Sequence, residues 1–210
     1  LNVNVTVDYD EFGTALIPHP ELGIEVASAR KEEYQPDSRK PHVIQTTVEE
    51  DMSRRDFTIN AIAASILPDS FGELYDPFGG LKDLQKGLII TPLDSDETFS
   101  DDPLRMLRAV RFAAQLEYEV APTVLESISR NVSRLKIISW ERIRDEIIKS
   151  LHADKPSIAF YLMKDTGLLS YVFPELDIMS GVDVIAGKGH KDVFIHTLQV
   201  VDNAAKLTDK

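Results

Sequence analysis

The hydrophobic pattern of this chain changes near residue 95, and that change limits the folds available to it. Before that point, short stretches such as VNVTV and GIEVASA alternate apolar and polar residues, which is typical of β-strands. Beyond it, apolar residues recur every three or four positions over long segments, which is typical of amphipathic helices. The pattern therefore predicts an α+β fold, with a partial sheet in the N-terminal part followed by an all-α region.

Turn signals divide the N-terminal part into short elements. GTALI and LGIEVASA flank the turn-like PHPELG and predict a β-hairpin, whereas the polar residues 31–45 predict a loop. TTVEEDM predicts a helix opened by a capping box, because Thr47 precedes Glu50 by three residues. TINAIAASI predicts a second helix. FGELYDPFGGLKDL predicts a short strand, a turn and a helical turn, and GLIIT predicts a further strand.

Helix start and stop signals divide the second part. Ser100 is predicted to cap the first helix of this region, and PTVLESISRN forms the next. SWERIRDEIIKSL follows, with Ser139 as its predicted cap. KPSIAFYLMKDTG is predicted to end at Gly167, and HKDVFIHTLQVVDNAAKL forms the last helix.

Composition narrows the class of protein. The chain of 210 residues has no cysteine, which excludes disulfides and thiolate metal sites, and its net charge is -12. That charge argues against a protein coated by nucleic acid through bulk electrostatics, although a local basic groove remains compatible with it. No apolar run approaches a membrane-spanning length, and no secretion signal is recognisable at the start, so we expect a cytoplasmic protein without membrane contact.

The segment SDDPLRMLRAVRF places an arginine at every third position of a predicted helix. Asp101 and Asp102 lie in its first turn, where carboxylates suit the helix dipole. Asp102 and Arg105 are three residues apart and can therefore pair. Spacing alone leaves two interpretations open: a capped helix with surface ion pairs, or a rigid edge that reads a base or binds phosphate through its carboxylate and guanidinium groups.

Two other groups of residues are candidates for chemistry. In RRDFTINA, Arg55 and Asp56 stand at the entrance of an apolar segment, where exposed amides favour anions. Asp56 can equally be a simple helix cap, and Asn60 can equally be structural, tying two helices together. Glu25 on its strand is a weak signal, since exposed strand glutamates are common.

The motifs together resemble a known family. RRDFTINAIA, LYDPFGGLKDL, DDPLRMLRAVRFA and ERIRDEIIK occur in the order and spacing of bacterial class II tRNA nucleotidyltransferases, the CCA-adding enzymes, with bacterial poly(A) polymerases as close relatives. GIEVASARKEEY resembles the strand that supplies the third catalytic carboxylate of that family. GHKDVFIHTLQVVDN resembles the start of an HD-type helical domain. The resemblance covers nearly the whole chain and implies a partial nucleotidyltransferase palm sheet followed by a helical neck and body.

The resemblance also implies roles for individual residues. Glu25 becomes one of the carboxylates that hold two Mg²⁺ ions, and Arg55 contacts the triphosphate. Asp56 contacts the ribose 2'-hydroxyl, with Asn60 among the nucleotide-binding residues. These roles imply a Mg²⁺ cofactor and CTP and ATP as substrates.

The helix SDDPLRMLRAVRF acquires a role from the same resemblance. Asp102 and Arg105 form a template of amino acids whose edges hydrogen-bond cytosine or adenine. Arg108 and Arg111 hold phosphates or orient that template, and ERIRDE lies on a neck helix that braces it. His196 corresponds to the first metal ligand of the HD domain.

One departure from the family pattern limits the expected activity. The glycine-rich turn and Asp-x-Asp strand of the first family motif are absent, because DYD at Asp8 and Asp10 has no such turn before it. We therefore expect that the chain lacks two of three metal carboxylates, is a fragment of a longer protein and cannot catalyse transfer alone. The HD-like part is likewise expected to be truncated, leaving His196 with an incomplete site.

The resemblance implies four regions: a partial nucleotidyltransferase head at 1–94, a helical neck with the template helix at 95–150, a helical body at 151–185 and the start of an HD-like domain at 186–210. The implied function is Mg²⁺-dependent, template-independent transfer from CTP and ATP to the 3' end of tRNA. Poly(A) polymerases and enzymes that add only CC or only A are alternatives. An HD-type phosphohydrolase and a non-catalytic RNA-binding module are alternatives of other classes, and the sequence leaves the oligomeric state open.

Overall fold

The computed structural model describes residues 7–9, 14–17, 24–33, 42–181 and 192–207. The chain divides into two compact units, residues 1–54 and 55–210. The described part of the first unit contains more strand than helix, and that of the second is dominated by helices. Most of the predicted strand VNVTV lies outside the described residues.

The first unit contains two antiparallel strand pairings. Its strands are β1 Val7–Tyr9, β2 Thr14–Ile17, β3 Ile24–Ala27, β4 Arg30–Glu33 and β5 His42–Gln45. Strands β1, β2 and β3 form one sheet in that order, which confirms the predicted hairpin between β2 and β3. The prediction of a loop over residues 31–45 is wrong at both ends, because β4 pairs with β5 there. The sequence did not indicate these two strands because their side chains are mostly polar. Backbone hydrogen bonds between strands form without an apolar face.

Helix α1, Val48–Ser53, begins as predicted. The Thr47 hydroxyl accepts a hydrogen bond from the Glu50 amide at 3.2 Å. The carboxylate of Asp51 accepts from the Arg30 amide at 3.2 Å and from the Arg54 guanidinium at 2.6 Å. Arg54 also donates to the Arg30 carbonyl, so α1 is tied to β4 within the first unit.

The predicted helix TINAIAASI does not form. A 3-10 turn at Thr58–Asn60 is followed by β6 Ala63–Ala64, which pairs with β7 Leu74–Tyr75. The Thr58 amide donates to the carbonyl of Ile90 at 2.9 Å, and the Thr58 hydroxyl donates to Asp83 at 2.8 Å. These tertiary bonds fix the segment in a conformation other than the helix that its composition favours.

Helix α2, Gly80–Lys86, packs tightly on that turn. The Asp76 carboxylate accepts from the amides of Gly80 at 2.7 Å and Leu81 at 2.9 Å, which satisfies the start of the helix. A Cβ atom at Gly80 would lie 2.1 Å from the Thr58 carbonyl oxygen, so this position has no room for a side chain. The predicted order of strand, turn and helical turn is confirmed by β7 and α2, and GLIIT contains β8 Leu88–Ile89.

The remaining helices form the body of the second unit. They are α3 Ser95–Asp101, α4 Leu104–Leu116, α5 Pro122–Asn131, α6 Trp140–Leu151, α7 Ser157–Thr166, α8 Leu168–Val172, α9 Pro174–Asp177 and α10 Val193–Leu207. A short strand β9, Glu119–Val120, pairs in parallel with β8, so the region beyond residue 95 is not purely helical. The predicted stop of α7 at Gly167 is confirmed by its left-handed backbone. Ser139 occupies the N-cap position of α6 without a capping side-chain bond.

Helix α4 is the centre of the hydrophobic core. Its buried face packs against α6 and α7. The apolar side chains of this face are those of Leu104, Met106, Leu107, Ala109, Val110, Ala113 and Ala114.

The start of α4 differs from the prediction. Ser100 is not a cap, because it lies inside α3, whose N-cap is Asp94. Pro103 disfavours helical backbone at the preceding residue, and Asp102 is extended with φ -136° and ψ 99°. The chain therefore breaks at Asp102 and starts a new helix at Leu104.

A buried ion pair joins α4 to α6. Arg111 Nε donates to Glu146 Oε2 at 2.6 Å, and the two side chains are only 9% and 4% exposed. Arg111 Nη1 also donates to Gln115 at 2.7 Å. The pair adds a directional contact between two helices that also pack through apolar side chains.

A second polar cluster joins α3 to α5. Asp96 accepts from Ser127, Arg130 and Asn131 at 2.6 to 2.9 Å. The bond from Arg130, followed by that from Ser127, holds the pKa of Asp96 below its ordinary value of 3.8. Because the pKa is lowered in the folded state, this contribution to stability is present above pH 3.8 and is lost as pH falls through the lowered pKa.

None of the helices in the described residues combines the length and the apolar character needed to cross a membrane. The four regions expected from the sequence stay a prediction. The division into two compact units falls between residues 54 and 55, which is not one of the predicted boundaries.

We expect Gly80→Ala to destabilise the protein by about 1–3 kcal/mol, because its Cβ overlaps the Thr58 carbonyl. Gly79 is the matched control: its φ is 73°, and a Cβ there meets no atom within 4 Å. Gly79→Asn should therefore be tolerated better than Gly79→Ala, whereas Gly80→Asn should be worse than Gly80→Ala. Urea unfolding midpoints of the four variants distinguish lack of space at Gly80 from backbone strain at Gly79. Equal midpoints for Gly80→Ala and wild type would contradict the close packing of Gly80 on Thr58.

We expect Glu146→Ala to destabilise the protein by about 3–5 kcal/mol, because it leaves the Arg111 guanidinium buried without its carboxylate. Lys149→Ala removes the exposed partner of the same carboxylate and should cost less than about 1 kcal/mol. Replacing both members of the buried pair by Arg111→Met and Glu146→Leu should restore most of the loss. Thermal unfolding measures all three, and a double variant no more stable than Glu146→Ala contradicts the pairing.

Candidate functional site

Most of the predicted site residues lie in the second unit. Arg55, Asp56 and Asn60 stand at or before the 3-10 turn, and Asp102 stands between α3 and α4. Arg105, Arg108 and Arg111 are on α4, Glu25 is on β3 of the first unit, and His196 is on α10.

Asp56 is a buried hub of hydrogen bonds. Its Oδ1 accepts from the Phe57 amide and from Asn60 Nδ2, both at 3.0 Å. Its Oδ2 accepts from Arg108 Nε at 2.7 Å and lies 2.6 Å from Arg108 Nη2. A carboxylate offers about four acceptor positions, so protein donors use all of them here. Asp56 therefore links the 3-10 turn Thr58–Asn60 to the side of α4.

Arg108 is held at two of its sides. Its side chain is one-third exposed, and its guanidinium pairs with Asp56 and lies 5.3 Å from the ring centroid of Phe112. Phe112 in turn makes an edge-to-face contact with the buried Phe57, with ring centroids 5.8 Å apart. The exposed part of the guanidinium is thus a preorganised cationic donor at the surface.

Asp102 is also held at both oxygens. Oδ1 accepts from the Leu104 amide at 3.1 Å, at the first turn of α4. Oδ2 accepts from Arg142 Nη2 at 2.9 Å, and Arg142 belongs to α6. The side chain is 26% exposed, and each carboxylate oxygen retains acceptor capacity for a ligand.

Arg105 lies on the first turn of α4, whereas the ion pair of Asp102 is formed with Arg142. Arg105 is half-buried, and its Nη1 donates to the Thr98 carbonyl at 3.3 Å. That contact ties Arg105 back to α3, so both members of the predicted template pair are anchored at the junction between the two helices.

Arg111 is enclosed by its neighbours. Its side chain is buried in the pair with Glu146, and its guanidinium carbon lies 4.0 Å from the centroid of the Phe112 ring. This environment suits orientation of the helix and leaves little surface for a phosphate. Arg108, by contrast, keeps an exposed face.

Arg55 and Asn60 flank Asp56. Arg55 is exposed, and its Nη1 donates to the Asn60 carbonyl at 3.4 Å. The side chain of Asn60 donates to Asp56. The idea that Asn60 ties two helices together is wrong, because no helix forms over residues 61–66.

Glu25 is an exposed carboxylate on β3, opposite Leu16 of β2. Carboxylate oxygen is the donor type that Mg²⁺ prefers. Within the described ranges, no group of three or more His, Cys, Asp or Glu side chains is arranged to hold a metal ion. Glu25 therefore fits one ligand position of such a site and does not constitute a site.

His196 is exposed on α10. Its amide donates to the carbonyl of Asp192 at 2.9 Å. The role of His196 in an HD-type site remains a prediction from the sequence.

Three contacts of the site were not predicted individually: Asp56 with Arg108, Asp102 with Arg142, and Arg111 with Glu146. Their partners are 52, 40 and 35 residues apart in the chain. Local spacing carries no signal for such pairs, although the opposite charges of ERIRDE and of the α4 arginines indicate that the two helices attract each other.

Two family models match the chain. The one described as "Poly A polymerase head domain" matches residues 2–90, and "Probable RNA and SrmB- binding site of polymerase A" matches residues 117–179. A curated relative, the Multifunctional CCA protein of Psychromonas ingrahamii, is 38% identical over 203 residues. That alignment covers 91% of this chain and 47% of the relative, so the chain spans about half the length of the curated relatives it matches.

Solved structures agree with these matches. The CCA-adding enzyme of Bacillus stearothermophilus in complex with CTP aligns with a TM-score of 0.70 and 32% identity, covering 80% of this chain and 40% of that one. The Thermotoga maritima CCA-adding enzyme complexed with tRNA aligns with a TM-score of 0.69 and 31% identity, covering 83% of this chain and 39% of that one.

The head-domain match spans β1 to β8 and Asp56, and the RNA-binding match spans α5 to α9. Sequence, fold and relatives therefore agree, and the chain belongs to the tRNA nucleotidyltransferase (CCA-adding enzyme) and poly(A) polymerase family.

Proposed function

We propose that this chain is the part of a CCA-adding enzyme that binds and selects the incoming nucleotide. In this proposal the full-length protein transfers nucleotides from CTP and ATP to the 3' end of tRNA without a nucleic-acid template. The observation that carries it is the anchoring of Asp102 at the junction before α4 and of Arg105 and Arg108 on that helix, with the side chains of Asp102 and Arg108 still partly exposed. Relatives named for CCA addition support the same reaction.

Base selection follows from hydrogen-bond polarity. The exposed part of the Asp102 carboxylate accepts the exocyclic amino group of cytosine or adenine, and the Arg105 guanidinium donates to neighbouring ring acceptors. Uracil and guanine present a carbonyl oxygen where cytosine and adenine present the amino group, so their oxygen meets the carboxylate unfavourably. Anchored side chains are needed for this selection, because a mobile pair adapts to either polarity.

Arg108 and Arg55 supply positive charge for the triphosphate. Arg108 is held by Asp56 with one-third of its side chain exposed, and Arg55 is exposed beside the same turn. Guanidinium groups bind phosphate oxygens in pairs, and a held group loses less entropy on binding. Arg111 contributes by holding the helix rather than by contacting the nucleotide.

Asp56 is proposed to contact the ribose 2'-hydroxyl. All of its acceptor positions are used within the protein, so a hydroxyl has to replace one donor. Arg108 places two nitrogens on the same oxygen and can release one of them while the ion pair persists.

A divalent cation, Mg²⁺, is proposed as the cofactor, with Glu25 as one of its ligands. When bound, Mg²⁺ activates the attacking 3'-hydroxyl and neutralises the charge that develops on the triphosphate. Glu25 offers a hard oxygen donor on an exposed strand position, which suits this cation.

Other functions remain as separate candidates. Poly(A) polymerases and enzymes that add only CC or only A share this family, and the anchored Asp102 and Arg105 suit their nucleotides too. An HD-type phosphohydrolase centred on His196 and a non-catalytic RNA-binding module are less well supported, because neither requires the anchored nucleotide-selecting residues. The cytoplasm, where tRNA ends are repaired, is the proposed location.

We expect the full-length protein to add C, C and A to a tRNA that lacks its 3' end, and to accept CTP and ATP only. Addition of a long A tract would identify a poly(A) polymerase instead. Sequencing of the extended tRNA ends, in the presence of each nucleotide alone and of all four together, measures this directly.

We expect Asp102→Ala to lower kcat/KM for CTP and ATP by about 5- to 150-fold, because the acceptor for the amino group is lost. Asp165→Ala removes an exposed aspartate of α7 and serves as the matched control, with an expected change of less than twofold. Single-nucleotide extension with each of the four nucleotides provides the values. Unchanged base choice in Asp102→Ala contradicts the template role.

We expect Asp56→Asn to reduce the preference for CTP over dCTP by about tenfold, because the charged acceptor for the 2'-hydroxyl is lost. Arg108→Ala should lower kcat/KM for CTP and dCTP by the same factor, since phosphate is common to both. A loss of equal size for both nucleotides in Asp56→Asn would show that Asp56 acts only by holding Arg108.

A further inference from the structure

We propose that Arg142 is a positioning residue for base selection, which acts by fixing the orientation of the Asp102 carboxylate. The inference rests on the proposed function and assigns a specificity role to a residue of α6 that does not itself contact the base. Its basis is the hydrogen bond from Arg142 Nη2 to Asp102 Oδ2 at 2.9 Å.

Two contacts at different oxygens are needed to orient this carboxylate. An aspartate side chain has two rotatable torsions, and the Leu104 amide at 3.1 Å holds only Oδ1. With that bond alone, Oδ2 is free to swing about the fixed oxygen. Arg142 holds Oδ2 from the other side, so the plane of the carboxylate is set by one contact from α4 and one from α6.

The backbone at Asp102 makes this second contact more important. The residue is the C-cap of α3 and is extended before Pro103, so its side chain projects from the break between the two helices. Its side chain is 26% exposed, so neighbouring atoms restrict it in part, and the two hydrogen bonds act on the orientation of its carboxylate group.

Burial distinguishes the two ionic contacts that α6 makes with this region. The pair of Arg111 and Glu146 is 9% and 4% exposed and holds the helices together. The pair of Arg142 and Asp102 is 52% and 26% exposed, where water screens the attraction and the contribution to stability is small. The pair of Arg111 and Glu146 holds α4 and α6 together. The pair of Arg142 and Asp102 then orients the Asp102 carboxylate.

Orientation of the carboxylate determines which bases are rejected. Each Asp102 oxygen has one bond from the protein and keeps its remaining acceptor capacity for a ligand. When the carboxylate plane is fixed, its oxygens accept a hydrogen bond from the amino group of a correct base. The same oxygens cannot turn away from the carbonyl oxygen of a wrong base, so the two oxygens repel each other. Without Arg142 the carboxylate can rotate, a water molecule can sit between it and uracil, and the penalty against the wrong base falls.

The test measures selectivity rather than overall activity. In the full-length protein, Arg142→Ala should lower the ratio of kcat/KM for CTP over UTP by about tenfold, mainly through KM, and the melting temperature should stay near that of wild type. Arg142→Lys retains the charge but not the planar fork, and should give an intermediate ratio. Arg144→Ala is the matched control, because Arg144 lies on the same helix, is 58% exposed and pairs with its neighbour Asp145.

Each outcome has a defined meaning. A ratio in Arg142→Ala equal to that in Arg144→Ala overturns the inference, and so does an equal fall of kcat/KM for CTP and UTP. If the alanine variant fails to fold, the ratio for Arg142→Lys against Arg144→Lys decides in the same way. Failure of the wild-type protein to extend tRNA with CTP instead contradicts the proposed function, so the two failures are distinguishable.

Discussion

The buried contact between Arg111 and Glu146 is the constraint on which the rest of the site depends. It joins α4 to α6 at 2.6 Å between two nearly fully buried side chains. Charges in this position tolerate few alternative packings, because any slide of one helix leaves them unpaired in a low-dielectric interior. The apolar face of α4 supplies the attraction between the helices, and this pair selects one register. Every other polar contact across α4 and α6 presupposes that register, including the contact that reaches Asp102.

Asp56 plays the corresponding part on the other side of α4. Its carboxylate takes bonds from the turn at residues 57–60 and from Arg108, so it fixes the turn and the guanidinium together. The same bonds explain why the segment after Asp56 is not a helix. The Asn60 side chain is engaged by Asp56, and the Thr58 amide donates to Ile90. In this segment, hydrogen bonds to residues distant in the sequence override the local helix propensity.

Part of this architecture was predictable from the sequence. The helix cap at Thr47, the stop at Gly167 and the hairpin of β2 and β3 depend on neighbouring residues, and the structure confirms them. The failures have a common cause. The strands at residues 30–33 and 42–45 and the turn after Asp56 are determined by partners distant in sequence or by backbone pairing. Site residues could be named from motifs, but not the contacts that orient them.

The spacing of the arginines on α4 explains why three identical side chains have three different environments. Three residues turn a helix by about 300°, so each successive arginine is displaced by about 60° around the axis. Arg105 accordingly reaches the carbonyl of Thr98 in α3, Arg108 reaches Asp56, and Arg111 reaches Glu146 in α6. Exposure falls along the same path, from partly exposed to buried. One helix thus carries a proposed ligand-selecting residue at its first turn and an attachment to the core at its third, because its three arginines are spread over about 120° of its circumference.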